Sequence, residues 1–94
     1  MTTRNLLQKD LRIVNRRGLH ARASAKLVKL VETFAAEVHV SKDGQTVGGT
    51  SIMGLMMLAA SPGCCISVSV SGTDADAALA AICELVESGF GETD

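Results

Sequence analysis

The segment ISVSVS, residues 66 to 71, alternates apolar and polar side chains without a break. Successive side chains of a β-strand point to opposite faces of its sheet, so Ile66, Val68 and Val70 face one way and three serines face the other. A strand of this kind belongs to a sheet with one buried face and one face in water. The rest of the chain must therefore cover the apolar face of that sheet.

The N-terminal stretch has the same period of two. Residues 6 to 14, LLQKDLRIV, place Leu7, Leu11 and Ile13 on one side, and Lys9 breaks the alternation. We predict a half-buried strand over these residues.

A hairpin is predicted over residues 37 to 49, EVHVSKDGQTVGG. Asp43-Gly44 is a two-residue turn sequence that tolerates positive φ and matches the twist of paired strands. A two-residue loop sets Val40 opposite Val47.

The period lengthens to that of an amphipathic helix from Ala21 to about Phe34. Its apolar face consists of Ala23, Leu27, Leu30, Val31 and Phe34. Its basic flank consists of Arg22, Lys26 and Lys29. This helix is expected to cover the sheet with its apolar face.

A short helix is predicted over residues 51 to 59, SIMGLMMLA, with Ser51 or Thr50 as its cap. Helical spacing assigns the inward positions to Ile52, Leu55 and Ala59. Met53 and Met56 are then expected to face solvent.

The C-terminal stretch TDADAALAAICELVESGF predicts a third helix that ends near Gly89. Thr73 and Asp76 have the spacing of a capping box. The predicted apolar stripe consists of Ala75, Leu79, Ile82 and Val86.

The element order β-α-β-β-α-β-α predicts an α+β fold. We expect an open-faced β-sandwich in which a four-stranded, mainly antiparallel sheet carries three helices on one face. The 94 residues contain one proline and no internal repeat, so residues 1–94 are expected to form a single domain.

Composition excludes several classes of function. The formal net charge of -1 and the aromatic content of 2% argue against nucleic-acid binding. The longest apolar stretch is well short of the ~20 residues that span a bilayer, so we expect a cytoplasmic protein without membrane insertion.

No cofactor or metal is expected. The glycines do not form a nucleotide-binding motif, so ATP binding is not expected. The two histidines and three cysteines lack the spacing of metal ligands.

The segment NRRGLHARASA, residues 15 to 25, places His20 where the first helix begins. The backbone amides there have no intrahelical partner and stabilise anions, while the helix dipole disfavours an imidazolium. A neutral ring nitrogen can attack phosphorus. The amides of Ala21, Arg22 and Ala23 and the guanidinium of Arg22 are then suited to hold the phosphoryl group.

Two separated motifs carry a resemblance to a known family. The segments GLHAR, residues 18 to 22, and SIMGLM, residues 51 to 56, resemble HPr, the histidine-containing phosphocarriers of the bacterial phosphotransferase system. The resemblance extends over about residues 6 to 91 and includes the element order. It implies the open-faced sandwich and a phosphoryl-transfer intermediate rather than a self-sufficient enzyme.

The resemblance also implies roles for single residues. The phosphorylated histidine falls on His20, the phosphate-contacting arginine on Arg22, and a regulatory serine on Ser51. The implied donor is enzyme I, charged by phosphoenolpyruvate, and the acceptors are A components of sugar permeases or nitrogen-related counterparts. An HPr kinase/phosphatase is the implied modifier of Ser51. One departure is Ala23, where the family usually has proline.

We expect a monomer that docks its partners around His20. The predicted docking residues are Arg22, Lys26, Lys29, Met53 and Met56. Exposed methionines adapt to several partners because their side chains repack readily.

Two other functions compete with the phosphocarrier. One is a regulatory binding module that acts mainly through Ser51 and the Met53/Met56 surface, although such a module need not keep both His20 and Arg22. The other is a small metal chaperone, against which the direct adjacency of Cys64 and Cys65 argues because it makes a poor chelate.

Overall fold

The computed structural model describes residues 6–92, and the element order within that range is the predicted one. The elements are β1 (Leu6–Arg12), α1 (Ala21–Glu32), β2 (Glu37–Lys42), β3 (Gln45–Gly48), α2 (Ile52–Met57), β4 (Cys65–Ser71), α3 (Ala75–Glu87) and a 3-10 turn (Gly89–Gly91).

The four strands form one sheet in the order β1-β4-β2-β3. Each neighbouring pair is antiparallel, so the sheet is more regular than the mainly antiparallel arrangement predicted. Strand β4 pairs with β1 on one side and β2 on the other, and its alternation reflects the difference between the two faces of the sheet. Ile66, Val68 and Val70 are at most 1% exposed, whereas the intervening serines are half-buried.

The core lies between the helices and the apolar face of the sheet, as expected for an open-faced β-sandwich. Leu27 of α1, Leu55 of α2 and Ile82 of α3 are fully buried in the same cluster as the β4 side chains. Phe90 joins this cluster from the 3-10 turn and is 1% exposed.

The hairpin between β2 and β3 has the predicted turn. Asp43 and Gly44 have φ angles of 51° and 82°, and Val40 is paired with Val47. Positive φ at both central residues is what a two-residue hairpin loop requires.

The inward face predicted for α2 is wrong at two of its three positions. Leu55 is buried, but Ile52 is 41% exposed and Ala59 is also exposed. The helix ends at Met57, so helical spacing no longer applies at Ala59, and Leu58 turns into the core instead.

The capping box predicted for α3 is also wrong. The helix begins at Ala75 after Asp74, and no side chain caps it. The Asp74 carboxylate accepts instead from the backbone N–H of Ala35 at 2.7 Å, which ties the α3 start to the segment before β2.

Within residues 6–92, no helix combines the length and the apolar character needed to cross a membrane.

Candidate functional site

The loop between β1 and α1 presents His20 and is fastened to the segment after α2. Leu19 N–H donates to the Ala60 carbonyl at 3.0 Å, and Gly63 N–H donates to the Ile13 carbonyl at 2.8 Å. Gly18 has a φ of +62°, and a Cβ there would lie 2.1 Å from the Ala60 oxygen. The loop can therefore follow this path only with glycine at residue 18.

His20 is the N-cap of α1, as the sequence predicts. Its backbone is extended, with φ −74° and ψ −179°, and its carbonyl accepts from Ser24 N–H at 2.9 Å to begin the helix. Its ring nitrogen Nδ1 accepts from Arg22 N–H at 3.2 Å. Of the amides predicted to hold phosphate, that of Arg22 is thus engaged by the ring itself.

The other ring nitrogen of His20 meets a carboxylate from the far end of the chain. Nε2 lies 2.6 Å from Oε2 of Glu92, and the two side chains are 23% and 13% exposed. Asn15 donates through Nδ2 to Oε1 of Glu92 at 3.0 Å and to the Gly18 carbonyl at 2.9 Å. Both oxygens of the carboxylate are therefore engaged.

These hydrogen bonds lower the pKa of Glu92. The largest cause is the donation from Asn15 and the next is the contact with His20, while burial acts in the opposite direction. Hydrogen bonds to the charged form favour it, so Glu92 is a carboxylate near neutral pH and can only accept.

The contacts on the two ring nitrogens select one tautomer. The Arg22 amide can only donate, so Nδ1 must offer an electron pair, and the Glu92 carboxylate can only accept, so Nε2 must carry the hydrogen. His20 is therefore held as the Nε2–H form with its free electron pair on Nδ1.

A short turn after α3 delivers Glu92 to this site. Gly89, Phe90 and Gly91 all have positive φ, at 69°, 58° and 70°. Lys26 of α1 donates to the Phe90 carbonyl at 2.7 Å and so clamps the turn onto the helix. Lys26, predicted as a docking residue, is part-buried and already occupied in this contact.

The remaining predicted docking residues lie on α1, which His20 caps, and on α2. The side chains of Arg22 and Lys29 are exposed. Met53 and Met56 are 73% and 43% exposed, which confirms their predicted exposure, and α2, which carries them, packs against α1.

Ser51, rather than Thr50, caps α2. Its Oγ accepts from Gly54 N–H at 3.0 Å, and the residue is exposed.

Sequence reasoning missed Asn15, Glu92 and the structural contact of Lys26. Asn15 lies five residues before His20, and an asparagine before Arg-Arg-Gly is an ordinary loop signal. Glu92 is 72 residues from His20, and no local pattern connects them. The one usable signal is the Gly-Phe-Gly sequence after the third helix, which indicates a sharp turn.

Metal-binding clusters and cysteine thiols are the other groups to consider in residues 6–92. Residues 6–92 contain no cluster of three or more His, Cys, Asp or Glu side chains that could hold a metal. The hydrogen bond from Ser61 lowers the pKa of the Cys64 thiol, and Cys65 is exposed on the sheet.

Comparison with known proteins identifies the family. A sequence model described as the PTS HPr component phosphorylation site matches residues 7–88. The chain belongs to the HPr family of phosphocarrier proteins. It carries the phosphocarrier role of the phosphotransferase system.

Three relatives illustrate the extent of the match. The phosphocarrier protein HPr of Cupriavidus necator is 45% identical over 87 residues, which is 93% of this chain and 98% of the relative. The phosphocarrier protein NPr of Shewanella violacea is 42% identical over 92% of this chain and 94% of its own. The crystal structure of an HPr from Thermoanaerobacter tengcongensis has a TM-score of 0.88 at 38% identity, covering 94% of this chain and 99% of that chain.

Proposed function

We propose that the chain carries a phosphoryl group on Nδ1 of His20. Enzyme I supplies the group, and the A component of a sugar permease or a nitrogen-related counterpart receives it. The observation that supports this most directly is the pair of hydrogen bonds on the ring, which leaves the electron pair on Nδ1. The ring is partly exposed, so a donor protein can approach it.

The accepting step is a displacement at phosphorus. The Nδ1 electron pair of His20 forms the new bond to phosphorus, and the bond from phosphorus to enzyme I breaks with its electron pair returning to enzyme I. The Arg22 amide loses its acceptor Nδ1 in this step and can donate to a phosphoryl oxygen instead. Passing the group on reverses these events with a new acceptor.

The start of α1 supplies the groups that stabilise the phosphoryl oxygens. Amides of the first helical turn have no intrahelical acceptor, and we assign this role to those of Ala21, Arg22 and Ala23. A helix terminus stabilises an anion by roughly 0.3 to 2 kcal/mol, which is enough to hold a labile group without trapping it. The Arg22 guanidinium adds a planar pair of donors suited to phosphate.

The exposed side of α2 is the proposed docking surface for enzyme I and the acceptors. This α2 surface comprises Ile52, Met53, Met56 and Met57, which are between 41% and 73% exposed. The neighbouring helix α1 adds the exposed positive charges of Arg22 and Lys29. Contiguous exposed apolar side chains mark interaction sites on soluble proteins.

Ser51 is the proposed regulatory site, as a substrate of an HPr kinase/phosphatase. A phosphate on its Oγ would add about two negative charges at the edge of the α2 surface. Partners that approach with an acidic face would then bind less tightly.

Phosphoryl transfer from phosphoenolpyruvate and enzyme I tests the carrier function. The protein is expected to gain one phosphoryl group that is labile in acid and stable in base. His20→Ala should abolish the gain, whereas His39→Ala, at the other histidine, should leave it intact. An unmodified mass for the wild-type protein, or equal labelling of the His20→Ala variant, would contradict the proposal.

The competing function is a regulatory binding module that works through Ser51 and the α2 surface. The exposure of both favours it, and the engaged ring of His20 argues against it as the sole function. If Ser51→Asp leaves every partner affinity unchanged, regulation through Ser51 is ruled out.

A further inference from the structure

We propose that Glu92 is a positioning residue that holds the proton on Nε2 of His20 throughout the transfer cycle. This inference rests on the proposed function of His20. It gives Glu92 a role that neither His20 nor Arg22 fulfils, which is to retain the hydrogen on Nε2.

The contact has the geometry of a charge-assisted hydrogen bond. The separation of 2.6 Å between Nε2 and Oε2 is at the short end for such a bond. The opposite oxygen of the same carboxylate accepts from Asn15, which is only 5% exposed. The carboxylate cannot rotate away from His20 without leaving a buried amide short of a partner.

The backbone that carries Glu92 is also fixed. The preceding turn, Gly89–Gly91, inserts Phe90 into the core and is clamped by the hydrogen bond from Lys26. Lys26 adds a positive charge beside the carboxylate. The segment from Gly89 to Glu92 is therefore anchored to the core and to α1, and it places the Glu92 carboxylate at the His20 ring.

A fixed carboxylate at Nε2 has a chemical consequence in both directions of transfer. When Nδ1 bonds to phosphorus with Nε2–H retained, the ring becomes positively charged, and the carboxylate offsets that charge. When the phosphoryl group departs, the electron pair of the breaking bond returns to Nδ1 and leaves a neutral ring. If Nε2 lost its proton, the departing ring would be an anionic imidazolate, which is a far poorer leaving group.

The ring tautomer can be measured without any partner protein. Nitrogen-15 correlation spectra of unphosphorylated wild-type protein at pH 8 should show the Nε2–H form. In Glu92→Gln, one amide oxygen cannot serve both Asn15 and His20, so the share of the Nδ1–H form should rise several-fold. Glu87→Gln removes an equal charge from an exposed position of α3 and should match the wild type.

Transfer kinetics supply the second readout. With enzyme I and phosphoenolpyruvate at fixed pH, Glu92→Gln should lower kcat by about 10- to 100-fold, by analogy with the loss seen when the partner that orients a metal-binding histidine is replaced. KM should stay within twofold, because the α2 surface is untouched. Glu92→Asp keeps the carboxylate and should recover part of the rate.

The outcomes separate this inference from the proposed function. A Glu92→Gln variant with wild-type spectra and wild-type kcat overturns the positioning role, as does a loss of rate without a change of tautomer. A wild-type protein that gains no phosphoryl group on His20 overturns the carrier function instead. The ring spectra still report on Glu92 in that case.

Discussion

At the scale of single residues, the site depends on positions at which other side chains would collide with a neighbour or lose a hydrogen bond. Gly18 has both a left-handed backbone and a carbonyl oxygen where its Cβ would be. Glu92 has one carboxylate oxygen for His20 and one for Asn15. The neighbour of Gly18 is the backbone carbonyl of Ala60, and that of Glu92 is the buried amide of Asn15. Displacing either group would cost free energy.

Gly18→Ala is expected to destabilise the protein by about 2 to 4 kcal/mol, because the new Cβ collides with the Ala60 oxygen and the residue keeps a positive φ. Urea unfolding measures the change. Gly44→Ala is the matched control, since Gly44 also has positive φ but a Cβ added there would meet no atom within 4 Å. Equal losses in the two variants would show that the collision at Gly18 contributes nothing.

Glu92 should make the unfolding free energy of the protein depend on pH in the acid range. Its pKa is lowered from 4.5 in the folded protein, so its contribution to the unfolding free energy is complete above pH 4.5 and is lost as the pH falls through the lowered value. Glu92→Gln should therefore lose less stability than the wild type as the pH is lowered from 5 through the pKa of Glu92 in the folded protein. Urea titrations across this range test the sign, and a Glu92→Gln curve parallel to that of the wild type would contradict it.

At the scale of helices and strands, the sequence predicts well wherever one period runs long enough to be read. The strand β4 and the helix α1 have sustained patterns, and both appear as expected. The helix α2 has only six residues, so its period is too short to fix which side faces inward, and the predictions for Ile52 and Ala59 are wrong. The cap predicted for α3 is wrong for another reason, because a tertiary contact with Ala35 takes the carboxylate of Asp74.

In the candidate site too, the residues that a local sequence pattern identifies differ from those that long-range packing brings in. His20 and Arg22 are close in sequence and follow from the chemistry of a helix start. Three strands and two helices separate Glu92 from α1 along the chain, so its contact with His20 depends on long-range packing that no local pattern encodes. The same holds for Lys26, whose position on a basic flank suggests a free side chain.

Ser51→Ala tests the helix cap. The serine Oγ accepts from Gly54 N–H, so its loss should destabilise the protein by about 1 kcal/mol in urea unfolding. Ser51→Asp retains an acceptor at the cap and should cost less. Thr50→Ala, one residue earlier, should be close to neutral, and a loss there equal to that of Ser51→Ala would assign the cap wrongly.

At the scale of the whole molecule, the loop that carries His20 lies against the segment that follows α2. The hydrogen bond from Leu19 to Ala60 connects the His20 loop to the segment that follows α2. A partner that covers the α2 surface therefore approaches the ring of His20 as well. The opposite, serine-rich face of the sheet takes no part in this arrangement.

Met53→Lys tests whether partners dock on the α2 surface. Met53 is 73% exposed, so the substitution should leave the unfolding free energy within about 0.5 kcal/mol of the wild type. Burying a lysine charge in the contact should weaken binding to enzyme I about tenfold or more, measured by calorimetry. Leu6→Lys is the control, because Leu6 is 66% exposed on β1, at the sheet edge opposite β3, against which α2 packs. If Leu6→Lys weakens binding as much as Met53→Lys does, the partner does not dock through α2, and the assignment of that surface fails.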